Sequence, residues 1–344
     1  MTEDDFQAAF DRRLSALLGL VDAESHPKLN PLAIELRDLR ILALNIKFFG
    51  YELARRVAEA LPPRKDLKPV NVGLRCKPST QADLESEWAS YWCQELKTPV
   101  VFHRKLWELA YVLQALHEAD MLRPDARGLG FGCGEEPIAS YLAARGAEIV
   151  VTDLAPETRE AKGWVETGQH AKSLETVFQP HLVGKEVFEA KVRHRFVDMN
   201  AIPQDLRDFD FCWSICALEH LGSIENGMNF VVKAMQTLRP GGIAVHTTEF
   251  NFLDGERTLD NWPTVLFQRR HFELLSERLR GDGHKLAPLD FDVGTKPLDR
   301  FIDIPPYAHD WPDHLRNWGA ESPHLKLSID GIASTCFGLI IVKA

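Results

Sequence analysis

Four short apolar runs, separated by longer stretches of mixed polarity, form the clearest pattern in this chain. They lie at residues 128–131, 148–152, 209–215 and 243–248. Runs of this length are typical of strands buried on both faces of a parallel sheet. The stretches 137–145 and 225–238 predict helices between them, and Gly146 is a suitable residue to end the first. We therefore predict an α/β fold, a doubly wound sheet with helices between its strands.

The N-terminal part follows a helical pattern instead. One helix is predicted through about Val21, and from Leu32 to Ala60 the apolar residues recur with heptad spacing until Pro62 and Pro63 end the pattern. We interpret residues 1–63 as a helical extension. Its apolar stripe serves either for packing on the rest of the chain or for a homodimer, and the pattern favours the two equally.

The rest of the chain divides into a connecting part and one large domain. Residues 64–120 predict a linker followed by helical segments that Pro99 breaks or kinks. Residues 121–344 predict the α/β domain, with the runs 289–293 and 332–342 as its last two strands. The segment 295–328 between them is far longer than a hairpin connection of about two to five residues. We expect it to be a lid, a wall of the substrate site or a dimer contact.

Composition narrows the class of protein. The 344 residues carry a formal net charge of −10, which argues against a protein that binds nucleic acid by neutralising phosphates. The sequence contains no run of 18 apolar residues, so we predict no membrane-spanning helix. The acidic N-terminus does not resemble a secretory signal. The six cysteines are scattered, which favours a reducing compartment. We therefore expect a cytoplasmic protein.

The turn after the first predicted strand indicates a ligand site. Gly130, Gly132 and Gly134 alternate there, and glycine lets the backbone adopt positive φ and approach a ligand closely. Asp153 follows the second strand about 20 residues later, where an acid can accept hydrogen bonds from ribose hydroxyls. The pattern predicts a site for a nucleoside-containing cofactor.

Two pairs of motifs resemble those of the class I S-adenosylmethionine-dependent methyltransferases. GFGCGEEP (130–137) and VVTDLAP (150–156) resemble motif I and the acid that follows it, and SICALEHL (214–221) and LRPGG (238–242) are similar to motifs IV and V. The resemblance implies a seven-stranded Rossmann-like sheet, with the last strand antiparallel at its edge. It also implies S-adenosylmethionine as cofactor.

The resemblance further implies where the cofactor binds. In the family, an acid placed like Asp198 binds the adenine amino group and the following main-chain N–H meets a ring nitrogen. The implied cofactor-binding residues are Gly130, Phe131, Gly132, Cys133, Gly134, Asp153, Leu154, Asp198, Met199, Ser214 and Glu219. Arg104 or Lys105 could meet the methionine carboxylate. The motif departs from the family pattern twice, because Gly130 replaces the usual acid and Glu136 replaces the usual third glycine.

Two other functions compete with this interpretation. A nicotinamide-dependent oxidoreductase would need glycine at position 135 of a fingerprint that begins at Gly130, and Glu135 stands there. Its negative charge at a helix N-terminus would repel a pyrophosphate. The second alternative is an inactive, methyltransferase-like interaction subunit, which the missing acid at Gly130 keeps open.

Methyl transfer to a hydroxyl requires a base that removes the proton of the acceptor. His220, at the mouth of the fourth strand, is our first candidate, because histidine titrates near neutral pH. His246 and Glu249 on the fifth strand are the second, and His271 is the third. We predict no metal, since the spacing of the remaining acids and histidines matches no metal motif. Those residues are Glu249, Asp254, His309, Asp310, Asp313 and His314. The chain also resembles bacterial methyltransferases associated with glycan or secondary-metabolite assembly. This resemblance implies methylation of oxygen on a small molecule or a sugar or glycan unit.

Overall fold

The computed structural model of the protein describes residues 19, 26, 28–156, 173–253, 255–305, 307 and 324–344. The chain forms two compact units, Met1–Glu52 and Leu53–Ala344. The helix predicted through Val21 lies outside the described residues, as do Asp254, His309, Asp310, Asp313 and His314. Within the described ranges, no helix is both long and apolar enough to cross a membrane.

A central sheet organises the second unit, and nine strands belong to it among the described residues. They are β1 Arg127–Phe131, β2 Glu148–Asp153, β3 Val192–Phe196, β4 Phe209–Ile215, β5 Leu238–Asn251, β6 Lys285–Leu286, β7 Ile302–Asp303, β8 Lys326–Ile329 and β9 Ile332–Val342. The spatial order is β3-β2-β1-β4-β5-β9-β8-β7, and β6 pairs with β9. The strands from β3 to β5 are parallel, and β9 is antiparallel to β5, β6 and β8. This is the predicted α/β, Rossmann-like fold.

The helices surround this sheet or precede it in the chain. They are α1 Leu29–Glu59, α2 Gln81–Leu84, α3 Glu87–Glu95, α4 Arg104–Glu118, α5 Ile138–Ala144, α6 Leu174–Val177, α7 Lys185–Lys191, α8 Ile224–Ala234, α9 Arg269–Gly281 and α10 Pro297–Arg300. Pro99 lies in the break between α3 and α4, as predicted, and Gly146 (φ 88°) follows the end of α5. A short 3-10 turn, Leu218–His220, follows β4.

Three details of the predicted sheet were wrong. The described residues form nine strands rather than seven, because β7 and most of β8 form within the long segment 295–328. The predicted strand 289–293 forms no strand, and the short β6 pairs with β9 instead. The last strand is antiparallel as predicted but lies inside the sheet, because β8 pairs along its other side.

The middle of the sheet is the apolar core. All seven residues of β4 are buried, and so is every residue of β1 after Arg127. Burial on both faces explains why these strands are mainly apolar and lack regular polar alternation, although β4 also contains the buried Asp210 and Ser214. The carboxyl ends of β1, β2, β4 and β5 open on the same edge of the sheet, which is where α/β proteins bind ligands.

Candidate active site

The glycine turn begins where β1 ends. Gly132 and Gly134 have φ angles of 59° and 51°, which residues other than glycine rarely adopt. A Cβ atom on Gly132 would lie 2.8 Å from Cβ of Ala217, so the backbone passes too close to β4's exit for any side chain. The turn is attached to β2 because the N–H of Gly134 donates to Oδ2 of Asp153 (3.2 Å) and the N–H of Leu154 donates to Oδ1 (2.8 Å). Asp153 thus holds the turn in the position where a ribose would be expected.

The remaining residues of the motif shape the turn from inside. Phe131 is buried and contacts the ring of Phe230, with centroids 5.1 Å apart. Cys133 is buried, and its N–H donates to the carbonyl of Thr152 at 3.1 Å. The hydroxyl of Thr152 donates to the Gly130 carbonyl at 2.8 Å. These contacts fix the backbone between β1 and β2.

The predicted adenine-binding pair lies beside the same turn. Asp198 follows β3, is exposed, and accepts the N–H of Asn200 through Oδ1 (2.8 Å). Met199 is buried, and its sulfur lies 3.5 Å from the position that a Cβ of Gly132 would occupy. Asp153, Met199 and the glycines therefore lie close together at the ends of β1, β2 and β3.

Three of the predicted site residues lie elsewhere. Ser214 and His246 are fully buried, 2.8 Å apart between the Ser214 hydroxyl and His246 Nδ1, and the His246 ring packs on Phe230. Burial lowers the pKa of His246 to about 3, so this ring is neutral at pH 7. His271 accepts the N–H of Gln268 through Nδ1 (3.0 Å) and caps α9. No hydrogen bond or ion pair among the described residues joins these three side chains to the remaining predicted residues Glu219, His220 and Glu249, which lie together in a separate cluster of charged side chains.

That charged cluster is built from the first turn of α4, the exit of β4 and the end of β5. Nη1 of Arg104 lies 2.5 Å from Oε1 of Glu249 and 3.8 Å from Oε1 of Glu108. Nζ of Lys105 lies 3.7 Å from Glu108, and its side chain is 47% exposed. Burial alone would raise the pKa of Glu108, but the charges of Lys105 and Arg104 hold it below its usual value.

Glu219 is the carboxyl of this cluster with the fewest partners. Its Oε2 accepts from the Thr248 hydroxyl at 3.1 Å, whereas the buried Oε1 has no hydrogen-bond partner among the described residues. Burial and then the nearby charge of Glu249 raise the pKa of Glu219 well above that of an ordinary glutamate. Glu219 can therefore hold or release a proton near neutral pH.

His220 lies next to Glu219 on the 3-10 turn. Its Nδ1 is 2.9 Å from the Pro263 carbonyl, which can only accept, so Nδ1 carries the hydrogen and Nε2 the lone pair. Nε2 is 3.8 Å from Oε1 of Glu219. Burial lowers the pKa of His220 to about 4, so the ring is neutral at pH 7. Its lone pair thus lies on the side of the charged cluster.

Two cysteines line the same cluster, and the sequence analysis did not foresee them there. Their sulfur atoms, in Cys216 and Cys336, are 3.5 Å apart, and Cys336 Sγ donates to Oε1 of Glu108 at 2.9 Å. Thiols and carboxylates at such distances could ligate a metal. Nη1 of Arg104 already lies 3.5 and 3.6 Å from the two sulfurs. Its guanidinium occupies the place of a cation, so this geometry does not indicate a metal centre.

Glu108 was also missed, although the sequence contains a signal for it. Arg104 and Glu108 are one helical turn apart, and the first turn of α4 carries two cations and no acid. Positive charge at a helix N-terminus is unfavourable unless carboxylates compensate it. No local signal could have placed Cys336, which is 120 residues from Cys216.

A family model described as "Methyltransferase domain" matches residues 102–281, slightly more than half of the chain. The malonyl-[acyl-carrier protein] O-methyltransferase of Salmonella typhimurium is 26% identical over 141 residues, which are 38% of this chain and 45% of that enzyme. The match therefore spans less than half the length of this relative.

Solved structures of two methyltransferases are also similar. The TehB-like S-adenosylmethionine-dependent methyltransferase of Corynebacterium glutamicum is 16% identical and covers 67% of this chain and 86% of its own, with a TM-score of 0.36. An S-adenosylmethionine-dependent methyltransferase of Mesorhizobium loti is 13% identical and covers 67% and 98%, with a TM-score of 0.35. Because both scores are below 0.5, the assignment depends on the family model and on the residues of the chain. This chain belongs to the methyltransferase-domain family, which implies S-adenosylmethionine as its cofactor.

Proposed function

We propose that this protein transfers a methyl group from S-adenosylmethionine to an oxygen atom of a small molecule, such as a sugar or glycan unit. The observation that carries the proposal is the pair of Glu219 and His220, which is held at the exit of β4 within a buried charged cluster. The Salmonella relative, named as an O-methyltransferase, is consistent with oxygen as the acceptor atom.

The residues present fit the cofactor. Gly132 and Gly134 have positive φ, and the backbone of a glycine turn can be approached closely by a ligand. Asp153 would hold the ribose, and Asp198 and Met199 the adenine. When bound, S-adenosylmethionine supplies an electrophilic methyl group on its sulfonium.

The chain's own residues would bind and deprotonate the acceptor. His220 is neutral, and its Nε2 can accept the proton of an acceptor hydroxyl. The imidazolium that forms would have the Glu219 carboxyl 3.8 Å away, which would stabilise its charge when ionised. Arg104, Glu108 and Glu249 form a network that fixes the wall of this site.

Calorimetric titration tests the cofactor first. S-Adenosylmethionine and S-adenosylhomocysteine should bind with micromolar affinity, and NADH should not bind. Binding of NADH instead would favour the nicotinamide-dependent oxidoreductase. Binding of the first two without turnover of any hydroxyl acceptor, sugars included, would favour the interaction subunit.

The variant His220→Asn tests the base once an acceptor is found. It should lower kcat by about 10²- to 10⁴-fold, the usual contribution of a general base, while its affinity for S-adenosylhomocysteine stays near that of wild type. The matched control is His271→Asn, because His271 caps α9 outside the charged cluster. Equal kcat values for the His220 variant and wild type would exclude His220 as the base.

A further inference from the structure

The glycine turn carries its acid at an unusual place. The family's acid would stand at position 130, but a Cβ there would lie 2.3 Å from Sγ of Cys133 and 2.5 Å from the ring of Trp213. Position 130 therefore has no room for a carboxylate. Glu136 stands in the same turn, six residues later, where the family has glycine.

One oxygen atom of the Glu136 carboxyl is buried, although the residue as a whole is only partly buried. Among the described residues, its Oε2 has no partner and no contact with solvent. Its N–H donates to the Cys133 carbonyl at 3.2 Å, which holds the residue in the turn. An oxygen atom that is buried and unpartnered costs free energy unless a ligand supplies a donor.

We propose that Glu136 binds the α-ammonium group of S-adenosylmethionine and so replaces the acid that Gly130 cannot provide. The inference depends on the cofactor that the family implies, and it does not depend on the acceptor or on oxygen as the methylated atom.

The surrounding charges favour a cation at Glu136. Burial raises the pKa of this carboxyl well above its usual range. Lys105 and, more weakly, the side chain of Trp213 act in the opposite direction, while the carboxylates of Glu108 and Asp153 add to the increase. Lys105 is itself 3.7 Å from Glu108, so its charge is shared between acids. An ammonium group would supply the positive charge and the N–H donors that the buried oxygen lacks.

Lys105 and Glu136 together suit an amino-acid group that carries both charges. The ammonium of Lys105, whose side chain is about half exposed, can meet the methionine carboxylate, and Glu136 can meet the methionine ammonium. A structural role for Glu136, limited to holding Lys105, predicts a different ligand dependence, which allows the two roles to be separated.

Calorimetric titration of Glu136→Gln with three ligands separates these roles. S-Adenosylhomocysteine has the amine and the carboxylate, S-adenosyl-3-thiopropylamine has the amine alone, and methylthioadenosine has neither. The variant should bind the first two about 10- to 100-fold more weakly than wild type, the effect of losing a charge-assisted hydrogen bond. Its affinity for methylthioadenosine should be unchanged. The matched control is Glu135→Gln, at the exposed neighbour, which should bind all three like wild type.

Any other pattern of affinities for the three ligands would overturn the proposal. Equal weakening for all three ligands would mean that Glu136 only shapes the turn. Weakening for S-adenosylhomocysteine but not for the amine-only ligand would mean that Glu136 acts through Lys105 and the carboxylate. If the variant bound all three ligands as tightly as wild type does, Glu136 would have no role in binding. If wild type itself bound none of the three, the implied cofactor would fail too, whereas missing acceptor turnover alone would not affect this inference.

Discussion

Arg104 balances the charges of the candidate active site. Its guanidinium contacts Glu249 and Glu108 and lies near both cysteine sulfurs, while its own side chain is only 15% exposed. Buried carboxylates are tolerated when a cation with several donors is held among them. The residue therefore stabilises the fold and shapes the site at once.

Replacing Arg104 should destabilise the protein strongly. We expect Arg104→Met to lower the free energy of unfolding by about 3–5 kcal/mol, since Glu249 and Glu108 would keep buried charge with one cation fewer. Urea denaturation followed by tryptophan fluorescence measures this. Lys185→Met, which removes an exposed pair with Glu189 on α7, is the control and should stay near wild type. A loss no larger than that of the control would contradict the assigned role of Arg104.

Glu219 should make stability depend on pH in a defined direction. Its pKa is raised in the folded state by burial and by Glu249, with Glu108 adding to the increase and Lys105 opposing it. The folded protein therefore binds this proton more tightly than the unfolded chain does, and stability falls as pH rises from the unfolded pKa through the folded one.

The variant Glu219→Gln should lack this loss. Its Tm advantage over wild type should be small at pH 5 and should grow as the pH increases towards 9. Differential scanning fluorimetry across this range measures the difference, with Glu277→Gln on the exposed side of α9 as control. An advantage that shrinks with rising pH would show that the folded protein prefers Glu219 ionised.

At the scale of elements, α4 shows how a helix can be placed for its site rather than for its own stability. Its N-cap His103 accepts the N–H of Lys105 at 2.9 Å, but the first turn carries two cations against the helix dipole. Glu108 and Glu249 compensate for this. The buried residues behind them, from Leu106 to Leu116, provide the packing that holds the turn against the sheet.

The first helix, α1, presents an apolar row that fits a partner helix. Leu39, Leu42, Ile46 and Phe49 follow the 3-4-3 spacing of a helix–helix seam, and each is between 38% and 70% exposed. Exposed apolar rows of this kind mark interaction surfaces. The homodimer is one of the two predictions that the sequence pattern favoured equally, and this row is the surface that it would use.

Replacing two apolar residues of that row by glutamate should prevent self-association. We expect wild type to sediment as a dimer and the double variant Leu42→Glu with Phe49→Glu to sediment as a monomer, because unpaired carboxylates would be buried in the seam. Asn45→Glu, at an exposed position outside the row, is the control and should leave the dimer intact. A monomeric wild-type protein at micromolar concentration would end the dimer hypothesis.

For the molecule as a whole, the sequence predicted the parts of the fold that local patterns determine. The limits of β4 and the turn after β1 followed from an apolar run and from glycine spacing. The run 289–293 was wrong as a strand because its backbone makes only one isolated bridge, between Leu289 and Cys76. Its apolar signal comes from partly buried side chains, such as Phe291, whose ring packs on Phe337 and Phe250. The two-residue strands depend on partners distant in sequence and have no local pattern.

The candidate site, like the fold, was predictable only where local sequence patterns determine it. Glu219, His220 and Glu249 could be named from the sequence because parallel strands end at one edge, and the structure brings the three together, although their roles stay predictions. Glu108 and Cys336 belong to elements that precede and follow these three residues in the chain, α4 and β9. Only the packing of α4 and β9 on β5 places them beside these residues.

The last strand has a consequence for how the molecule folds. β9 pairs with β5, about 90 residues earlier, and its backbone also bonds to residues near Cys76, since the N–H of Ser79 donates to the Cys336 carbonyl at 2.9 Å. Such contacts must close long loops before they gain any stabilisation, so they form slowly. β9 contributes Cys336 and also Ser334, whose hydroxyl donates to Oε2 of Glu249 at 2.8 Å. We therefore expect this wall of the candidate site to form late in folding. A chain that has collapsed around β1 and β4 would still lack part of the proposed acceptor site.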